Sequence, residues 1–263
     1  MESETSIRQS FHIQLRVIGA LLMREIITRY GRDNLGFLWV FLEPMIFTLG
    51  VTTLWYGAGF SHGSSLPVVA FAVTGYSSVL LWRNCANRAA MAVPPNVGLL
   101  YHRNVRVLDL FISRVLLEIA GATISFIVLS VIWISLGWMD PPIDVLLVIS
   151  GWLLLAWFGA ALALIIGALT VYTHIAEILW GPAAYILFPL SGAAFMVDWL
   201  PAKFQQVVLI LPMVHGVEIL REGYFGSVVR THYDVSYIMM VNVAMTLIGL
   251  ALARDAGRRI EIQ

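Results

Sequence analysis

Charge is scarce in this chain, and lysine is nearly missing. Only 12% of the 263 residues are charged, and Lys203 is the single lysine among sixteen basic residues. Ordinary soluble domains carry about a quarter charged residues. Here 59% of residues are hydrophobic and the mean hydropathy is +0.83. A soluble globule of this size has too little interior to hide that much apolar surface. The one cysteine, Cys85, rules out a disulfide scaffold and a cysteine metal set. His12, His62, His102, His174, His215 and His232 are scattered, without an H-E-x-x-H or H-x-x-E-H pair, so no metal site is expected. A phosphate loop ending in Gly-Lys-Ser/Thr is also missing, since Lys203 follows Ala202. The chain therefore does not hydrolyse ATP by that machinery. Ser191-Gly192 lacks the G-x-S-x-G context of a serine hydrolase, and close helix packing by small residues is the simpler reading. The apolar run after Arg16 is short, is closed by Arg24 and has no small-residue cleavage site, so a cleaved signal peptide is not expected.

What is present is a series of long apolar runs. Residues 35–56, 66–82, 108–136, 145–171, 178–197 and 235–253 are each long enough for one crossing. Strict alternation is absent, so they read as helices rather than barrel strands. The expected fold is an all-α membrane protein with six transmembrane helices in a single domain. Orientation follows from the basic residues. Thirteen of the sixteen fall in the N-terminal tail, in the segment between spans two and three, or in the C-terminal tail. Lys203, Arg221 and Arg230 fall on the other side. Both termini are therefore expected in the cytoplasm. Within residues 9–30, Phe11, Leu15, Ile18, Leu22 and Ile26 recur at helical spacing away from Arg8, Arg16 and Arg24, which predicts an amphipathic helix in the headgroup layer. In the external stretch 198–234, the apolar run 207–214 is too short to cross and is broken by Pro212. A re-entrant or interfacial helical hairpin fits it better than an open loop.

Glu43-Pro44 is the most informative pair inside a span. Glu43 lies eight residues past Leu35, roughly 12 Å along a helix. A charge near a bilayer centre costs about 2.5–3.5 kcal/mol on insertion scales, so Glu43 must face protein or water. It either anchors a local packing network or lines a polar path. Arg114 and Glu118 are four apart and are expected to neutralise each other along one helix. Arg24, Arg29 and Arg32 set topology and also suit anionic headgroups or an anionic substrate. His215, Glu218, Arg221 and Glu222 crowd the external hairpin, with Glu218 and Arg221 spaced to pair.

Residues 22–44 (LMREIITRYGRDNLGFLWVFLEP) resemble the start of ABC-2-type export permeases, and most closely the inner-membrane permease of capsular polysaccharide exporters. Residues 96–118 (NVGLLYHRNVRVLDLFISRVLLE) are similar to that family's cytoplasmic loop entering its third span. Residues 211–222 (LPMVHGVEILRE) are similar to the stretch before its last helix. Nothing is carried onto residues 223–234. The resemblance implies a homodimer in the bacterial inner membrane, clamped on two cytoplasmic ATP-binding subunits. It also implies membrane lipids around it, a lipid-linked glycan as substrate and a periplasmic co-polymerase as receiver. Nucleic acid has no place in this picture, and the chain needs no cofactor of its own, since ATP is bound by the partner. In that family the N-terminal helix and the loop before span three meet the ATPase, which points here to Arg88, Tyr101 and Arg103. The first and fifth spans border the conduit, which points to Phe37, Trp39, Phe41, Glu43, Trp180 and Tyr185, whose aromatic faces suit sugar C–H surfaces. The external hairpin would be a gate formed by His215, Glu218, Arg221 and Glu222. A permease for lipid-linked O-antigen or teichoic acid, or a multi-pass membrane transferase, are the alternatives.

Overall fold

The computed structural model describes residues 7–30, 36–58, 66–100 and 105–262. Ten helices and three short 3-10 turns account for these residues, with no strand among them. The helices are α1 (Ile7–Tyr30), α2 (Gly36–Gly57), α3 (Val68–Ala90), α4 (Val97–Leu100), α5 (Val107–Ser135), α6 (Val145–Tyr172), α7 (His174–Leu190), α8 (Ala202–Val208), α9 (Pro212–Phe225) and α10 (Val235–Ile262).

By length and composition, α5, α6 and the stretch Val235–Ile260 of α10 can each cross a membrane. The short α8 and the following α9 form a bent pair at 107°. Their break falls where the sequence places it, because Pro212 has no N–H to continue α8 but suits the first turn of α9. Helices α2, α3 and α7 occupy the other three expected spans. Boundaries differ from expectation in α3, in α7 and in α10, which runs on to Ile262 past the expected end at 253. Helix α3 continues to Ala90 instead of ending at Trp82, since Cys85–Ala90 holds no helix breaker. Helix α7 starts earlier, capped by the Thr173 hydroxyl, and stops at Leu190 after Pro189, so 191–197 is not helical up to the turn at Val197–Trp199.

Helix α6 is the hub, touching α3, α5, α7, α9 and α10. Side-chain pairs along the interfaces fix the helix directions. Gly159 of α6 meets Trp82 of α3, and eight residues on Gly167 meets Ala89, so α3 and α6 run the same way. Helix α10 also follows α6, with Asn242 bonded to the Leu154 carbonyl and Trp157 to Thr246. Helix α5 opposes α6, because Trp152 bonds Thr123 while Gly167 packs on Phe111. Helix α2 opposes α3 through Trp55–Phe71, Phe47–Tyr76 and Glu43–Arg88. Helix α7 opposes α3 through Phe188–Tyr76 and Trp180–Asn87. Large apolar side chains remain exposed on the outer helices, among them Leu54, Val131, Leu153, Ile186, Met240 and Leu247. Such a surface suits lipid rather than water.

Helix α1 is amphipathic in a different register from the expected one. Leu21 is buried, with Gln14, Val17, Ile18 and Glu25 half-buried on the same side against the bundle. Phe11 and Leu15, one turn apart, are exposed apolar residues, while Met23 and Ile27 are exposed on the same side as His12 and Arg16. The apolar set splits because one part packs on α5 and α2 while the other faces outward.

Candidate functional site

Helices α1, α2, α3 and α5 are joined at the arginine-rich end of the bundle by one connected polar clasp. Arg88 Nη2 of α3 lies 3.1 and 3.2 Å from the two carboxylate oxygens of Glu43 on α2. Its Nε lies 3.4 Å from Glu118 Oε1 on α5. One turn back on α5, Arg114 donates to the Arg88 and Met91 carbonyls at 2.9 and 2.7 Å, which closes the end of α3. Its Nε lies 3.3 Å from Glu25 of α1. Arg24 adds a bond to the Asn96 side chain, and Gln14 one to Asp109.

The clasp changes several sequence-based expectations. Arg114 and Glu118 take ion-pair partners across helices, Glu25 and Arg88. Cross-helix pairing leaves none of the four charges stranded. Glu43 is part of a packing network, with 49% of its side chain still open. Arg88 is committed to two carboxylates, with 33% of its side chain exposed. Arg32, Tyr101 and Arg103, and the side chains of Arg29, Phe37 and Phe41, lie outside the described residues. Trp39 is on the exposed side of α2.

Beside the clasp, α3 and α7 enclose a groove of about 420 Å³ that includes Arg83, Asn87, Met91, Glu177, Trp180 and Tyr185 in its lining. Trp180, expected on the conduit, is a buried wall residue whose indole N–H donates to Asn87 Oδ1 at 2.7 Å. Tyr185 stands on the rim and is 77% exposed. The groove thus brings together the two α7 aromatics and two α3 residues that the sequence reading missed as site residues, Arg83 and Asn87. By the expected end of span two at residue 82, Arg83 falls in the loop, whereas the structure places it inside α3. The unbroken, alanine-rich continuation of α3 was the signal that places it inside the helix.

At the other end of the bundle, α9 is buried almost throughout, including His215, Glu218 and Arg221. The expected Glu218–Arg221 hydrogen-bonded pair is not what forms. Arg221 donates to the carbonyls of Gly192, Ala193 and Phe195, each at 2.6 Å, and its guanidinium lies 3.8 Å from the Phe71 ring centre. Glu218 accepts from the backbone N–H of Val197 at 3.2 Å and of His232 at 3.0 Å. The reason lies in the non-helical stretch after α7, whose carbonyls have no helical partner and must be met by protein. His215 Nδ1 accepts from the Asp234 N–H at 2.8 Å, so Nε2 carries the proton and donates to the Leu209 carbonyl, also at 2.8 Å. Glu222 accepts from Thr231 Oγ1 at 2.5 Å and from Tyr233, whose hydroxyl is pushed up by burial and then by this bond. The four ionisable residues therefore bind three separate backbone segments to α9. No group of His, Cys, Asp and Glu among the described residues is arranged to hold a metal ion.

A bundle of apolar helices around the buried α9 of a bent helix pair, without nucleotide-binding sequence, fits a permease component. Residues 16–225 match the ABC-2 type transporter family, and the chain belongs to it. That family lacks an ATPase domain, so ATP hydrolysis belongs to a separate ATP-binding partner. Among individual proteins, the chain is 46% identical over 260 residues to the capsule polysaccharide export inner-membrane protein CtrC of Neisseria meningitidis serogroup B, covering 99% of this chain and 98% of that one. It is 44% identical to the capsule polysaccharide export inner-membrane protein BexB of Haemophilus influenzae at the same coverage. The polysialic acid transport protein KpsM of Escherichia coli is 27% identical over 94% of this chain and 96% of its own. The chain is an inner-membrane protein.

Proposed function

We propose that this chain is the transmembrane subunit of an ATP-driven exporter that passes lipid-linked capsule polysaccharide across the inner membrane through a conduit made by two copies. The observation that carries this reading is the end-to-end likeness to capsule polysaccharide export proteins, 46% identical across 99% of the chain. Six crossings, α2, α3, α5, α6, α7 and α10, are supported by the alternating directions of their contacts. The arginine-rich end faces the cytoplasm by the distribution of positive charge. There α1 lies in the headgroup layer, with Phe11 and Leu15 toward the acyl chains.

In this reading the conduit runs along α2 and α7, and the ATPase grips α1 and the segment leading into α5. The clasp then gives a physical route from one to the other. Movement of α1 pulls on Glu25 and Arg114, which hold the end of α3, and Arg88 hands the displacement to Glu43 on α2. Helices α8 and α9 form the external gate, and a periplasmic co-polymerase takes up the emerging polymer. Deleting the gene should remove glycan from the cell surface and leave it accumulating inside, with restoration by a plasmid copy. A deletion strain that keeps its surface glycan would refute the assignment. Arg88→Glu, which sets three carboxylates together, should leave the protein inserted while export falls and ATP turnover continues.

A further inference from the structure

We infer that Arg83 is an anion-binding residue of the α3–α7 groove, the place where an acidic group of the translocated substrate is held. This rests on the transport reading above. Arg83 lies eight residues before Met91, roughly 12 Å inside α3 from its arginine-rich end. Its Nε is buried and has no hydrogen-bond partner. No ion pair or hydrogen bond engages the rest of its guanidinium among the described residues. What touches it is aromatic: its guanidinium carbon lies 5.7 Å from the Phe47 ring centre and 5.4 Å from that of Phe188.

The two buried arginines among the described residues, Arg114 and Arg221, show how unusual this is. Arg114 has Glu25 and two carbonyls, and Arg221 has three carbonyls. An ionisable side chain at this depth is costly unless paired or facing a polar path, and Arg83 faces the 420 Å³ groove. Two phenyl faces hold the guanidinium plane by cation–π contact while leaving its N–H edge for a ligand. That edge forms paired bonds with carboxylate or phosphate oxygens. The rest of the groove suits a sugar chain: Trp180 gives an aromatic wall, Tyr185 a rim hydroxyl and Asn87 an amide already turned to Trp180. The one carboxylate in the lining, Glu177, is bonded to His174 Nδ1 at 2.9 Å and forms no ion pair with Arg83.

The acidic group has two chemical sources, a carboxylate or phosphate on the glycan and the phosphate of its lipid carrier. The test uses the permease with its ATPase partner in nanodiscs, and measures binding and ATPase stimulation by two probe pairs. One pair is a carboxylated oligosaccharide against a neutral oligosaccharide of equal length, and the other is a polyprenyl phosphate against the free polyprenol. Arg83→Gln should weaken the response to an acidic probe by about tenfold or more, as expected for lost charge-assisted bonds, and leave its neutral counterpart unchanged. Arg83→Lys should recover part of it. A response confined to the oligosaccharide pair assigns the site to glycan, and one confined to the polyprenyl pair assigns it to the carrier. Asn87→Asp, which keeps the acceptor for Trp180 but adds a negative charge, should weaken acidic binding even if Arg83→Gln fails to fold. Equal responses of wild type, Arg83→Gln and Asn87→Asp to both acidic probes would overturn the inference. Loss of export in the gene deletion without any Arg83 effect would sink this inference alone and leave the transport assignment standing.

Discussion

Arg221 and Arg83 show how one residue type serves opposite ends in the same bundle. Arg221 is fully buried, and its guanidinium supplies donors to a carbonyl-lined turn that lies outside any helix. Removing it deprives three carbonyls of their donor, and each buried group left unsatisfied costs about 1–3 kcal/mol. Arg221→Ala should therefore lower the melting temperature of the purified protein and its steady-state level in membranes. Arg221→Lys should fall between, because an ammonium lacks the fork that reaches several carbonyls at once. A melting curve for Arg221→Ala that overlays the wild type would disprove this role. The sequence places Glu218 and Arg221 one helical turn apart and so makes them look like partners. It does not show the turn at 191–197 that outbids both, since that demand arises only when a distant segment folds against α9.

The helices α6 and α9 approach so closely that backbone meets backbone. A Cβ at Gly151 would lie 2.6 Å from Leu220 N and 2.9 Å from Gly216 O, and one at Gly223 would lie 2.6 Å from Val148 N. Gly216 returns the fit by leaving room for the Leu155 side chain. Small residues at such crossings let helix pairs gain dispersion contacts that lipid cannot match. Gly151→Ala should push α9 off α6 and destabilise by about 1–3 kcal/mol, the usual cost of overpacking. Gly50→Ala on α2, where nothing lies within 4 Å, should be neutral or slightly stabilising. Equal thermal stability of the two variants would show that the seam yields. At this scale the sequence was most legible where apolar length decides, as in α5, α6 and α10, and where a breaker acts, as at Pro212. It was least legible where two apolar faces compete. In α1 the residues Phe11 and Leu15 share a helical spacing with Leu22, yet they face outward while Leu21 packs inward, and only the neighbouring helices determine that division.

At the scale of the molecule, six helices in alternating direction put Arg254 and Arg258 at one end and Arg230 at the other, with the bent pair α8–α9 beside the latter. Cys85 is buried, so single cysteines can be read against a silent background. Arg230→Cys should react with a membrane-impermeant thiol reagent in spheroplasts, and Arg258→Cys only after permeabilisation. The reverse pattern would invert the topology. The same silent background allows the gate to be tested. Helix α9 is packed like a core element, as a gate at rest and a permanent plug both require, and a removable tether separates the two. The Cβ position at Gly216 lies 2.6 Å from Leu155 Cγ, so cysteines in place of Leu155 and Gly216 bring two sulfurs within bonding range while the smaller side chain relieves the crowding. If α9 must leave α6 for polymer to pass, oxidising this pair should abolish surface glycan and reduction should restore it at unchanged protein level. Each single cysteine variant should export in either condition. A plug gives the other result, export by the oxidised double variant equal to the reduced one, and the path for the polymer would then have to lie elsewhere than beneath α9.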